Sequence, residues 1–226
     1  MASLRCRVCH INGGKGVVAA MRKGLAYLLV LLVLLYGAFL LVQAAGIANG
    51  GQIAAHHLVR IGQLDPGQYA SIQEYHTWAY SICSTAAMTE VVNYYGGSYR
   101  ITDILAVEAR IGEITPEQGL LEDAGIARTL AHFGFVTDWG YGRTLDQVVA
   151  LANGGTPVIV AFPPSRYPGG HLLVVTGGDG AQVEVADSSL WNHTSFSRTR
   201  FLALWAGFAA VVTPQGGEAR HAGPAS

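Results

Sequence analysis

An uncharged apolar run, LAYLLVLLVLLYGAFLLVQAAGIA from Leu25 to Ala48, decides how this chain can be organised. A helix needs about 20 apolar residues to cross a bilayer, whereas the apolar part of a cleaved signal peptide is usually about 7 to 15. The run therefore predicts a transmembrane signal anchor over residues 25–48. Arg5, Arg7, Lys15, Arg22 and Lys23 precede it with no acidic residue, which places residues 1–24 in the cytoplasm and everything after Ala48 outside. Cleavage near Val42-Gln43-Ala44 would release the same domain as a secreted protein.

The remainder is long enough for one core and one active site. It carries 9 of the 14 Lys and Arg and all 15 Asp and Glu, a formal charge near −6, which excludes a nucleic-acid partner by charge. Residues 49–70, with Gly50-Gly51 and Pro66-Gly67 and no sustained periodicity, read as a tether. The folded domain is expected over 71–214, with a flexible tail at 215–226. Ala87, Val91 and Tyr94 recur at helical spacing after Cys83, and Gly96-Gly97 supplies a stop. Ile101, Ile104, Leu105, Glu108 and Ile111 predict a second helix with one polar member in its apolar stripe. Thr115-Pro116-Glu117-Gln118 and Thr144-Leu145-Asp146-Gln147 both have the capping-box pattern of a helix start. From Pro157 the pattern changes to short β-branched runs, VIVAF, LLVVT, QVEVA and FAAVV, separated by glycine-rich turns. Helices followed by strands predict an α+β fold with a small antiparallel sheet in the second half.

Cys83 is the one cysteine beyond the apolar run, since Cys6 and Cys9 precede it. A lone thiol in an oxidising compartment is either buried or reactive. Its place in the first turn of a helix favours an anion, as a nucleophile requires. Cysteine is also a common small core residue, and spacing alone leaves both readings open.

His171 to Asp187, HLLVVTGGDGAQVEVAD, reads as a hairpin turning on Gly178-Asp179-Gly180. Pairing symmetrical about Asp179 sets His171 opposite Asp187, Leu173 opposite Val185 and Val175 opposite Val183. Directly opposed Cβ atoms lie about 4.5–5.5 Å apart, so an imidazole and a carboxylate can hydrogen-bond there. The odd-numbered face is the more apolar one, which turns His171 and Asp187 inward. Such a pair either orients a catalytic base or secures the hairpin.

Taken together, these residues resemble the bacteriocin-processing, double-glycine type peptidases, cysteine peptidase family thirty-nine, in their exported branch. The resemblance runs from about Ser71 to Pro214. It rests on an upstream Gln, a Trp-containing loop, a cysteine opening a helix that ends in NYYG, and a GH-strand-turn-strand-D hairpin. It implies a papain-like fold with Cys83 as nucleophile, His171 as general base, Asp187 as orienting acid and Gln73 as oxyanion-hole donor, with Glu74 and Tyr75 as nearby polar alternatives. It implies hydrolysis of a peptide or amide bond through a thioester, with a peptide or protein substrate as partner, the N-terminal helix in the membrane and no cofactor. Ser84 stands where the family usually has Gly, and Ser188 where it commonly has Pro.

Two other readings stand beside this one: a papain-like binding or assembly module without turnover, and a cell-wall peptidase of a related papain-like type. Cys6-Arg7-Val8-Cys9-His10 has the spacing of a haem attachment site but falls on the cytoplasmic side. His56, His57 and His76 show no metal-ligand spacing. Trp191 and Trp205 are expected in the core.

Overall fold

The computed structural model describes residues 58–216, together with Tyr36. The predicted transmembrane segment therefore lies, apart from Tyr36, outside the described residues. Among those residues no helix is long and apolar enough to cross a membrane.

A single 3-10 turn, Pro66–Gln68, leads to α1 (Ile72–Trp78), α2 (Cys83–Tyr94) and α3 (Ile101–Arg110). A two-stranded ribbon, β1 (Ile114–Thr115) with β2 (Gly119–Leu120), precedes α4 (Ala124–Ala131), β3 (Phe135–Gly140) and α5 (Leu145–Asn153). Then come β4 (Val158–Phe162), β5 (His171–Gly178), β6 (Gln182–Ala186), β7 (Ser195–Ser197), α6 (Arg198–Leu204) and β8 (Ala209–Pro214). The main sheet has the order β3-β8-β4-β5-β6-β7, and every pairing is antiparallel. The α+β reading holds, with one amendment. Phe135–Gly140, from the mainly helical first half, crosses to the sheet edge and pairs residue by residue with β8.

Helix α2 lies against β5. Its Ala87, Met88 and Val91 share a core cluster with Ile159, Val174, Ala186, Ala210 and Val212 of the sheet. The opposite face is covered by α5 and α6, where Val148, Val149, Phe201 and Leu204 pack on Val160, Phe162, Leu173, Val175 and Val185. The sheet is thus buried on both sides in its middle, which is why even-numbered Val174 is as buried as its odd-numbered neighbours.

Thr144 forms the full capping box with Gln147 and starts α5. Thr115 also accepts from the Gln118 N–H, yet no helix follows. Gly119 takes a φ of +69° and folds the chain back into β2, and a Cβ there would sit 2.5 Å from the Ser81 carbonyl oxygen. That close approach presses the ribbon onto the segment entering Cys83.

Residues 58–70 are not a free tether. Ile61 and Tyr69 are buried in a cluster with Ala79, Ile82, Ala86 and Ile101. The Tyr69 hydroxyl donates to the Gln63 carbonyl at 2.5 Å, and the Gln63 N–H donates to the Ser188 carbonyl at 2.9 Å. The folded unit therefore begins well before Ser71. Trp205 is buried, with its indole N–H on the Phe208 carbonyl, whereas Trp191 is 72% exposed on the loop after β6.

The β5–β6 hairpin departs from symmetry about Asp179. Val175 pairs with Val185 and Val174 with Ala186, and a bulge falls between Val175 and Gly177. Asp179 sits at the start of the turn rather than its centre, because its carboxylate accepts from the N–H groups of Ala181 and Gln182. The register is shifted by two residues, an even number, so the inward face is unchanged. Gly178 makes this turn possible at φ +146°, where a Cβ would meet the Gln182 carbonyl oxygen at 2.5 Å. Gly178→Ala is expected to destabilise the domain by more than about 1 kcal/mol, measured as a lowered urea midpoint at unchanged slope.

Candidate active site

Three elements converge at one end of β5. Cys83 opens α2 behind Ile82, which has no side chain able to cap the first turn. The first N–H groups of the helix are therefore without a side-chain cap, the positive end of the helix dipole lying at Cys83. The Leu172 N–H donates to the Cys83 Sγ at 3.4 Å, tying the helix of Cys83 to the strand that begins with His171.

His171 is 7% exposed and Asp187 is fully buried. The His171 Nε2 lies 2.7 Å from the Asp187 Oδ1. That leaves Nδ1 on the other edge of the ring, and the electrostatic influence of Cys83 on the imidazole places the thiol beside it. His171 and Asp187 are not directly opposed, as symmetry about Asp179 predicts. The observed register carries Leu173 toward Asp187, so His171 is the diagonal neighbour on the same face, a separation that an imidazole can close. Tyr167 stacks on the ring with centroids 5.7 Å apart.

The Asp187 carboxylate also accepts from the Ser189 N–H at 2.9 Å and the His193 N–H at 3.0 Å. Burial pushes its carboxyl up, but the bonds from His171 and Ser189 outweigh that and hold it well below the usual carboxylate range. For His171 burial acts downward, and the bonds to Asp187 and Cys83 reverse it and lift the ring to about 9.

Gln73 does not join this group. It is exposed on α1, and its main-chain carbonyl accepts from the Thr77 hydroxyl. Glu74 is also turned away, capping Ala70 and Thr102. The buried amide near the site is Gln63. Its Nε2 donates to the Ala79 carbonyl at 2.9 Å and its Oε1 accepts from the Ser188 hydroxyl at 2.9 Å, next to Asp187. Gln63 escaped sequence reasoning because it falls in the stretch read as tether; the pattern RIGQL, with Ile61 and Leu64 flanking it, was the available signal.

Two further carboxyls are buried against α2. Glu108, the polar member of the α3 stripe, accepts from the Ser84 hydroxyl at 3.2 Å and the Thr85 hydroxyl at 2.5 Å. Burial pushes it up to about 7. Ser84, in the usual glycine position, therefore directs its hydroxyl inward. Glu90 accepts the Ile61 N–H at 2.9 Å, and burial pushes it up to about 8. Among the described residues no group of three or more His, Cys, Asp or Glu is placed to hold a metal ion.

The model of the Peptidase C39 like family matches residues 67–212. The chain belongs to that family. The fold is similar to the peptidase domain of Streptococcus ComA, a bifunctional ABC transporter involved in a quorum-sensing pathway, at 22% identity and a TM-score of 0.54 over 70% of this chain and 100% of that one. It is also similar to a C39-like peptidase from Bacillus anthracis, at 11% identity and a TM-score of 0.50 over 71% and 96% of the two chains. No curated protein sequence matches the chain.

The folded ring holds its proton to higher pH than the unfolded ring, whose value is 6.5. The His171–Asp187 pair therefore contributes its full stability below about pH 6.5 and loses it as pH rises toward about 9. Glu90 and Glu108 also titrate within this range, so the pair is isolated as the difference between wild type and Asp187→Asn. That difference in urea midpoint is expected to shrink steadily from about pH 6.5 to about pH 9.5.

Proposed function

We propose that this family member is a thiol peptidase or amidase whose nucleophile is Cys83, whose general base is His171 and whose orienting acid is Asp187. The observation that carries the reading is the half-buried thiol at the uncapped start of α2, tied by the Leu172 N–H to the strand whose buried His171 is bonded to the buried Asp187. His171 takes the thiol proton through Nδ1, while Asp187 fixes the ring and stabilises the imidazolium. The thiolate attacks the substrate carbonyl. His171 then returns the proton to the departing amine, and water hydrolyses the thioester.

The oxyanion of the tetrahedral intermediate is assigned to the Cys83 N–H and to Gln63. The Gln63 Nε2 spends one hydrogen on the Ala79 carbonyl and retains a second for this purpose. The substrate is a peptide or protein, and Gly169 and Gly170, both at positive φ, let its backbone pass close to His171. The apolar run at 25–48 and the cations before it support a domain held outside the cytoplasmic membrane.

An alkylating probe tests the assignment directly. It is expected to modify Cys83 near neutral pH much faster than a free thiol, with the rate lost in His171→Ala; equal rates would identify a binding module without turnover. Asp187→Ala is expected to lower kcat by at least about 100-fold. In wild type the alkaline limb of kcat/KM should fall near pH 9, following His171. Gln63→Ala should reduce kcat by roughly 100- to 1000-fold, whereas Gln73→Ala on the exposed face of α1 leaves it unchanged. The reverse pattern would restore Gln73 to the site.

A further inference from the structure

Residues 60–63 lie outside the stretch matched to the family, yet they are bonded to the loop that carries the acid. The Arg60 Nε donates to the Asp187 carbonyl at 2.6 Å, and a terminal guanidinium nitrogen donates to the Ser189 carbonyl at 2.7 Å. Between them, the Gln63 N–H donates to the Ser188 carbonyl. Three successive carbonyls are thus held from one side by one short strap. From the other side, the same loop folds its Ser189 and His193 N–H groups onto the Asp187 carboxylate.

The strap is itself fastened to the nucleophile's helix. The Ile61 N–H donates to the Glu90 Oε1, and Glu90 is fully buried with its Oε2 unpaired. Glu90 stands seven residues after Cys83, two helical turns along the same face. A closed ring results: Cys83, down α2 to Glu90, across to Ile61 and Arg60, on to Asp187, then His171, and back to Cys83 through the N–H of Leu172. Outside the main chain, every link is a hydrogen bond between side chains or between a side chain and the main chain.

We propose that Arg60 is a positioning residue for this site, its guanidinium fixing the main chain of Asp187 and through it the orientation of the His171 ring. The proposal rests on the triad reading above. A planar guanidinium presents donors on separate nitrogens to two carbonyls in a fixed fork, whereas an ammonium offers its donors from a single atom on a flexible stem and holds the two less rigidly. An arginine that only fastened the N-terminal segment would affect stability alone. One that positions the acid alters the strength of the Asp187–His171 bond, and with it the proton affinity of the ring.

The test follows the His171 imidazole resonances by NMR from about pH 5 to about pH 11 in the full chain, for wild type, Arg60→Lys and Arg60→Ala, with kcat, KM and melting temperature measured alongside. Arg60→Ala is expected to lower the ring's titration midpoint by about one pH unit and kcat by roughly 10- to 100-fold, with KM within about twofold, and Arg60→Lys to fall between. A midpoint and kcat equal to wild type in Arg60→Ala would overturn the proposal, whether or not the melting temperature falls. If Arg60→Ala does not fold, Arg60→Lys decides: a lowered midpoint supports the proposal and an unchanged one overturns it. Wild type that keeps the high midpoint but neither alkylates rapidly nor turns over peptides would end the hydrolase reading, while the titration still decides whether Arg60 orients the pair.

Discussion

The contact between α2 and the even-numbered face of β5 sets the geometry of the site. Ala87, Met88 and Val91 on the helix and Ile159, Val174 and Ala210 on the sheet are all fully buried. Each large aliphatic member contributes on the order of 1.5–3 kcal/mol by leaving water, and the small Ala87 lets the helix approach closely. This packing brings the start of α2 within 3.4 Å of the Leu172 N–H, although the two residues are 89 apart in sequence. Weaken that contact and the thiol and imidazole part, whatever their own chemistry.

Burial at the site has opposite consequences for different carboxyls. Asp187 is fully buried but receives three hydrogen bonds, so it keeps its charge. Glu90 has one backbone donor and one unpaired oxygen, and burial pushes it toward the protonated form. This shift toward the protonated form reduces the negative charge behind His171 and Asp187. Asp187 is the carboxylate that bonds His171 directly. Glu108 lies between these cases, with two hydroxyl donors from the first turn of α2.

The pairing of His171 with Asp187 was legible because strand parity survives an even shift in register. Its exact partner positions were not, since the carboxylate of Asp179 redefines where the turn begins, and one extra residue is absorbed at the bulge near Thr176. The helix from Cys83 and the cap at Thr144 follow from local spacing and local hydrogen bonds. Thr115 shows the limit of such signals: its cap bond forms, but Gly119 and the approach to Ser81 turn the chain into a ribbon. Gln63 and Arg60 were beyond local reading, because their partners lie 125 and 127 residues away.

The bond from the Gln63 side chain to the Ala79 carbonyl joins positions 16 apart, and the chain between them is an excursion that leaves and returns to the same place. The entropic cost of closing such a loop grows only as the logarithm of its length, about 0.6 kcal/mol for each doubling. Its exposed members, Ile72 among them, stand outside the ring of bonds that holds Cys83, His171 and Asp187. Lengthening its exposed stretch around Ile72 is therefore cheap for the fold, whereas the buried Tyr69 holds the start of the excursion in the core. Variation in the exposed stretch can redraw the surface leading into Cys83 while the bonds behind it stay as they are.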